Sequence, residues 1–428
     1  MANGNHTPND IENPPPTPFV TLLRSELDAL PPLSSMCCIY RVSERLRLGK
    51  DRAYTPQVVS IGPIHHGKEE LKPMEEHKKR YLVDLLKRTN KSLEDYIEMI
   101  KQKEELLRSC YAESIGFTGD EFVKIILVDA AFIIEVLLRY PQKLKDEHDR
   151  IFNKPWMLQD IWHDLRLLEN QLPFFILKEI LDTVSSSDGR RLSILDLSYT
   201  FFKDIMNIEG TEDKLRRLES SDVAHFVDFL RSLYVPLSGS GGTINTLTIP
   251  RMTELHRAGV KFKVGSSGNL FDLQFSKGVL EIPKLTISDE TEITIRNLLA
   301  FEQCHCTENY LNDYVVMMDC LVDTPKDVDL LVKYGIVENR LGDNAEGSTL
   351  INKLADGVTV EYKNFYFAKI SEELNDYYRT SWHRWKANLK QNYFNTPWAT
   401  VSVIAAILLI ILTIIQAVCS VISVIRKD

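Results

Sequence analysis

Five ionisable side chains combine the residue types that acid–base catalysis requires. Two are adjacent histidines in a turn-like stretch, and three are acids within apolar segments: His65, His66, Asp129, Asp164 and Glu169. Imidazole and carboxylate groups act as general acids and bases when they meet within hydrogen-bond reach in one pocket. Buried acids are costly unless paired, so structural acids bonded to arginines or to backbone donors are the default interpretation. We treat these residues as a hypothetical polar site and assign no catalytic residue.

Cys304-His305-Cys306 has the residue types of a metal site without its usual spacing. Structural zinc takes four ligands, usually from two pairs, and adjacent residues on a helix point about 100° apart. No second pair lies nearby in the sequence, and P-loop, GxSxG, HExxH and dinucleotide-binding fingerprints are missing. The sequence therefore predicts no metal site and no cofactor, and it favours a protein that is not an enzyme.

The composition is that of a globular protein, with 44% hydrophobic and 26% charged residues. A net charge of −9 argues against a nucleic-acid partner, because nucleic-acid-binding proteins usually carry a basic face. The seven cysteines are scattered through 428 residues and do not resemble a disulfide framework. Reduced thiols in a body that faces the cytosol are the expectation.

Apolar residues at helical spacing predict the elements that must position the polar site. His65 and His66 precede a helix over 73–87, and Asp129 lies inside one over 121–139. Asp164 and Glu169 lie on a helix over 157–172, which Pro173 then kinks or restarts. Further helices are predicted over 222–234, 291–320, 327–334, 346–354 and 361–391. The fold class is therefore mainly α.

Four short segments rich in β-forming residues interrupt this pattern between about 258 and 288. They are separated by Gly or Pro and lie at 260–264, 270–275, 279–282 and 285–287. We expect a small antiparallel sheet here. The predicted organisation is a disordered Pro-rich segment over 1–34, a single large domain over 35–390, and a membrane anchor with a short basic tail over 391–428.

Residues 398–425 carry no charge and include 16 Val, Ile or Leu residues. As a helix they would extend about 42 Å, against roughly 30 Å of bilayer hydrocarbon. The sequence predicts a single-pass transmembrane helix in the plasma membrane or an endomembrane. No signal peptide is recognisable at the N-terminus, so we expect a tail anchor with the body in the cytosol. The anchor residues are Trp398, Ile404, Leu408, Leu412, Ile415 and Ile422.

Several long motifs occur in a fixed order along the chain. They are CIYRV at 38–42, YTPQVVSIGP at 54–63, HHG at 65–67, MEEHK at 74–78, DLRLLENQLPFF at 164–175, ELHRAGVKF at 254–262, RNLLAFEQC at 296–304, YVVMMD at 314–319 and NYFNTPWA at 392–399. In these motifs the chain resembles the plant domain-of-unknown-function 247 family from about residue 37 onwards.

The resemblance implies a plant protein with a large domain, a C-terminal membrane helix and no established biochemical activity. Some family members are implicated in recognition during grass self-incompatibility, but that role belongs to particular members. We expect an interaction or recognition module in signalling, with the lipid bilayer and an unknown protein as partners. A membrane-bound enzyme that uses the His/acid site is the alternative. The sequence does not determine the oligomeric state. Oligomerisation through the apolar segment has little support, because that segment lacks a GxxxG pair.

Overall fold

The computed structural model describes residues 17–28, 34–142, 149–189, 192–206, 211–218, 223–236, 239, 241–380 and 397–425. The fold is mainly helical, as predicted. The first nine helices are α1 (Pro18–Asp28), α2 (Glu44–Arg47), α3 (Lys72–Thr89), α4 (Leu93–Lys101), α5 (Glu104–Ser109), α6 (Gly119–Gln142), α7 (Pro155–Asp164), α8 (Phe174–Asp188) and α9 (Ile194–Met206). The remaining described helices are α10 (Thr211–Leu218), α11 (Phe226–Tyr234), α12 (Met252–Arg257), α13 (Asp289–His305), α14 (Tyr310–Leu321), α15 (Pro325–Lys333), α16 (Asn344–Ala355), α17 (Ala368–Arg379) and α18 (Pro397–Ile425).

Helix α6 is the centre of the N-terminal part of the core. It contacts α3, α4, α8 and α9, and nearly every side chain from Phe122 to Leu138 is buried. A helix that is apolar on all sides is stable only when neighbours cover it completely. The same cluster of buried apolar side chains extends from Cys38 to Leu374, so it includes the C-terminal helices as well.

The small β element is mixed, so the prediction of an antiparallel sheet was wrong. Its strands are β1 (Lys261–Val264), β2 (Gln274–Ser276), β3 (Val279–Ile282), β4 (Leu285–Ile287) and β5 (Val337–Asn339). A two-residue turn joins β2 to β3 as an antiparallel hairpin, whereas β1 pairs with the other edge of β3 in parallel. Strand β4 leaves this sheet and pairs in parallel with β5. Residue patterns identify a strand but not its partner, which explains the error.

The structure differs from the sequence prediction in two other places. The helix predicted over 157–172 ends at Asp164, and α8 begins only after Pro173. Helix α1 lies within the segment predicted to be disordered, and all of its side chains are exposed; residues 1–16 and 29–33 lie outside the described residues.

The predicted anchor lies on α18, a helix of 29 residues. Residues 391–396 and 426–428 of the predicted anchor segment lie outside what is described, as do the side chains of Trp398 and Ile422. Among the helices that the structure does describe, none meets the combined length and hydropathy that a membrane crossing requires.

The position of α6 generates a stability prediction. Leu137→Ala removes a fully buried side chain from α6, so the free energy of unfolding should fall by about 2–5 kcal/mol. Leu48→Ala is the matched control, because Leu48 is 81% exposed and its truncation should change stability by less than about 0.5 kcal/mol. Urea unfolding followed by circular dichroism measures both values. Equal effects of the two substitutions would contradict the burial of α6.

Candidate functional site

The connection between α7 and α8 carries two of the predicted site residues and is unusual because it is buried. Every residue from 163 to 174 is buried, although the chain between Asp164 and Phe174 is not helical. Buried backbone groups outside helices and sheets need other hydrogen-bond partners. The polar residues of the DLRLLENQLPFF motif supply them.

Two amides within this connection bond to backbone groups from three parts of the chain. Asn170 Nδ2 donates to the carbonyls of Val59 and Asp164, at 3.0 Å each, and its Oδ1 accepts from the N–H of Ile61 at 2.7 Å. Gln171 Nε2 donates to three carbonyls of the connection itself, and its Oε1 accepts from the N–H of Phe226 at 3.0 Å. These side chains replace the hydrogen bonds that a continuous helix would have made.

Asp164 binds the backbone of the segment that precedes the paired histidines. Its Oδ2 accepts from the N–H groups of Val58 at 2.7 Å and Val59 at 2.8 Å, and its Oδ1 accepts from that of Gln57 at 2.8 Å. His163 Nδ1 lies 2.8 Å from the same Oδ1. A fully buried carboxylate with four such partners holds a non-helical segment in place. Its oxygens are occupied.

Glu169 lies beside His65, which is the one predicted acid–imidazole contact that the structure brings together. Its Oε1 accepts from the Val42 N–H at 2.7 Å and from Arg47, while Oε2 lies 3.0 Å from His65 Nε2 at an angle outside hydrogen-bond geometry. Burial raises the pKa of Glu169, but His65, Val42 and Arg47 outweigh it and hold that pKa below its usual value. Burial lowers the pKa of His65. The pair is therefore a carboxylate next to a neutral imidazole.

Asp129, in the middle of α6, also binds the segment that precedes the paired histidines. Its Oδ2 accepts from the Gly62 N–H at 2.8 Å, and its Oδ1 is paired with the buried ammonium group of Lys78. Lys78 Nζ also donates to the Ser60 carbonyl at 2.8 Å. Burial raises the pKa of Asp129 to about 6, although Lys78 opposes this shift.

The five predicted residues therefore lie in the same region of the fold but do not converge on one catalytic centre. Asp164 and Asp129 bind the backbone of residues 57–62, and Glu169 binds Val42 and Arg47. His66 instead lines a cavity that is open to solvent, with its ring edge-on to Phe117 at 5.6 Å. This arrangement is typical of structural acids that replace missing backbone partners.

Sequence reasoning missed several members of this network, including Lys78, Asn170 and Asn297. Asn297 on α13 accepts from the Leu168 N–H at 2.9 Å and donates to the Ala53 carbonyl at 2.7 Å. The available signal was a polar residue inside an otherwise apolar run, as in RNLLAF and LLENQLPFF. A side chain in such a place must be paired when the run is buried.

His225 is a further residue that sequence reasoning missed, and it holds the backbone at Cys38. It caps α11, since its Nδ1 accepts from the Asp228 N–H at 3.2 Å, and its Nε2 donates to the Cys38 carbonyl at 2.9 Å. Both ring nitrogens are thus used by one neutral tautomer. Burial lowers the pKa of His225 to about 4, although Asp228 opposes this shift.

The Cys304-His305-Cys306 sequence at the end of α13 does not form part of this network. His305 Nδ1 lies 3.0 Å from the hydroxyl of Tyr40. Within the described ranges, the six cysteines from Cys37 to Cys320 are free thiols. In the same ranges no three His, Cys, Asp or Glu residues are grouped so that they could hold a metal ion.

Asp164→Asn should lower the free energy of unfolding by about 2–3 kcal/mol, because an amide NH₂ would face backbone donors that the carboxylate now accepts from. Asp376→Asn is the control on the exposed surface of α17 and should change stability by less than about 0.5 kcal/mol. Chemical denaturation of both variants measures the difference. An Asp164→Asn variant as stable as the control would show that the carboxylate does not anchor residues 57–59.

His225 should make stability depend on pH. Its pKa is lower in the folded than in the unfolded state, so its contribution is complete above about pH 6.5 and is lost as the pH falls towards 4. Between pH 7 and pH 5, the free energy of unfolding should fall by about 2 kcal/mol more in the unmodified protein than in His225→Gln. Urea unfolding at the two pH values measures this. Parallel pH dependences in the two proteins would rule out a buried neutral His225.

Comparison with known proteins places this geometry in a family context. The family model described as "Plant protein of unknown function", domain of unknown function 247, matches residues 39–412. The chain is similar to UPF0481 protein At3g47200 of Arabidopsis thaliana, with 28% identity over 418 residues that cover 90% of this chain and 87% of that protein. It is also similar to Putative UPF0481 protein At3g02645 of Arabidopsis thaliana, with 24% identity, covering 88% of this chain and 89% of that protein.

No solved structure is significantly similar to the chain. The family match spans every residue of the buried network, from Val42 to Asn297. The resemblance expected from the motifs is thus confirmed, and the chain belongs to the plant domain-of-unknown-function 247 family.

Proposed function

We propose that this chain is an interaction protein that recognises a partner protein through α1 and is tethered to a membrane through its C-terminal apolar segment. The observation that carries the proposal is the exposed apolar face of α1. Phe19, Leu22, Leu23 and Leu27 are 69%, 58%, 42% and 57% exposed, and no residue of α1 is buried. A helix with large apolar side chains at this spacing is typical of segments that dock into a groove of a partner.

The spacing of these four residues places them on one side of α1. Residues three and four apart are neighbours on a helix surface, so Phe19, Leu22 and Leu23 adjoin, and Leu27 continues the row one turn further on. Arg24 projects away from that row, whereas Glu26, four residues after Leu22, lies on the same side and places one charge within it. Exposed apolar rows of this kind favour a second protein surface over permanent contact with water.

The membrane tether rests on the composition of residues 398–425. The absence of charge over 28 residues and the 16 Val, Ile or Leu side chains favour a lipid environment. Ile404, Leu408, Leu412 and Ile415 on α18 are each more than half exposed, so they are available to lipid. We further propose that the body lies in the cytosol, where a tethered recognition module would suit signalling at a membrane surface.

The enzymatic alternative has weaker support. It requires the histidines and acids to converge on a substrate. Asp164 and Asp129 are instead engaged with backbone N–H groups, and Asp129 also with Lys78. The contact between His65 and Glu169 is buried, with both side chains at most 3% exposed. A substrate would have to displace Val42 or Arg47 to reach this carboxylate.

The role of α1 generates a binding prediction. Leu23→Asp places a charge in the apolar row. The amount of partner protein that co-purifies with full-length tagged protein after gentle detergent extraction should therefore fall at least about tenfold relative to the unmodified chain. Leu48→Asp is the control, because Leu48 is an exposed leucine outside α1. Quantitative mass spectrometry of the purified extracts measures the amount of partner recovered. Equal recovery with both variants would exclude α1 as the docking element.

The tether generates a second prediction. Full-length protein should sediment with membranes, and a chain that lacks residues 398–428 should remain in the aqueous fraction, since the deleted segment carries the long uncharged run. Asn90 in the exposed Asn90-Lys91-Ser92 sequon reports the side of the membrane. Glycosidase treatment should leave the mass unchanged. Full-length protein in the aqueous fraction would contradict the tether, and a glycan on Asn90 would contradict the cytosolic body.

A further inference from the structure

A cavity of about 190 Å³ lies where the turn that contains His66 meets the first turns of α3 and the start of α6. It is separate from the buried contacts of Asp164 and Glu169 and from α1. Its lining combines four lysines with a serine and a histidine: Lys68, Lys72, Lys79, Lys124, Ser60 and His66.

The cavity is positively charged. Glu75 is the one acid in its lining, and it is paired with the buried Lys78. Lys72 is paired with Glu69 at the surface. Within the described part of the chain, no ion pair joins the other three lysines of the lining to a carboxylate. Their charges are therefore available to a ligand.

Two buried polar atoms in the lining have no partner in the described structure. Ser60 is only 1% exposed, and its Oγ makes no hydrogen bond, although its carbonyl accepts from Lys78. The Nδ1 of His66 is likewise buried and unpartnered. Buried polar groups are nearly always hydrogen-bonded, so unpartnered ones beside a cavity point to a ligand that supplies the missing acceptor or donor.

The ligand class follows from these groups. Ammonium groups, a hydroxyl and an imidazole N–H are all donors to oxygen, and several lysines around one space suit a group with more than one negative charge. The start of the 18-residue helix α3 adds the positive end of a helix dipole. Burial lowers the pKa of His66, and Lys78 and Lys124 act in the same direction against Glu75.

We propose that this cavity binds a phosphate monoester group. Such a group could belong to a soluble metabolite or to a lipid headgroup. The chemistry that the cavity recognises is the same for both. This inference goes beyond the proposed interaction function and does not depend on α1 or on the tether.

Binding to full-length protein is measured with two probes. Phenyl phosphate is titrated by calorimetry, and phosphatidylcholine vesicles with and without phosphatidic acid are compared by co-sedimentation. Lys79→Gln and Lys124→Gln should each weaken binding about tenfold, because each removes a charged donor. Lys91→Gln is the matched control: it removes the same charge just beyond the far end of α3 and should leave binding unchanged.

Ser60→Ala separates ligand binding from a structural role. Removal of a buried hydroxyl that has no partner should leave the melting temperature unchanged or raise it, whereas the affinity for phenyl phosphate should fall several-fold. A merely structural serine would show the reverse pattern.

Either probe supports the proposal if the lysine and serine variants weaken its binding and Lys91→Gln does not. Phenyl phosphate binding without preference for phosphatidic acid identifies a soluble ligand, and a preference for phosphatidic acid without phenyl phosphate binding identifies a headgroup. The proposal is overturned if neither probe shows saturable binding, or if Lys124→Gln and Ser60→Ala bind like the unmodified protein.

Discussion

The structure depends on hydrogen-bond partners for the backbone of a non-helical segment, residues 57–62, that lies inside a helical core. This segment is too short and too irregular for its backbone groups to hydrogen-bond to one another, and much of it is buried. Carboxylates from two directions supply the missing acceptors: Asp164 from the α7–α8 connection and Asp129 from α6. Because buried N–H groups without partners cost more than most single contacts provide, these acids determine where the segment can lie.

This constraint also bears on function, because it determines which polar groups are left to bind a ligand. Asp164 and Asp129, which could have served a substrate, are already bound to the chain, and two unpartnered groups lie beside a cavity instead. The Ser60 hydroxyl and the His66 ring border a lysine-lined cavity on the solvent side of the same segment. Asp164 and Asp129 thus hold the segment from the core side, while Ser60 and His66 border the cavity on the other side.

Sequence patterns predicted the mainly helical class, the central apolar helix and the family, because helical periodicity and ordered motifs are local signals. They also identified Asp129, Asp164 and Glu169 as buried acids in need of partners. The partners themselves could not be predicted, since Asp164 meets Val58 across more than 100 residues of chain. For the same reason the parallel pairing of β4 with β5 was missed. The end of α7 at Asp164 was missed because Asn170 and Gln171 replace helical hydrogen bonds in a way that apolar periodicity does not reveal.

Native-state hydrogen exchange at the amides of Val58, Val59 and Gly62 tests the central claim most directly. These amides donate to Asp164 and Asp129, so they should exchange only when the whole body unfolds, at the rate of core amides in α6. Exchange of these three amides far faster than the α6 core, under conditions where the protein stays folded, would mean that the segment opens on its own. The acids would then not be the anchors of the fold.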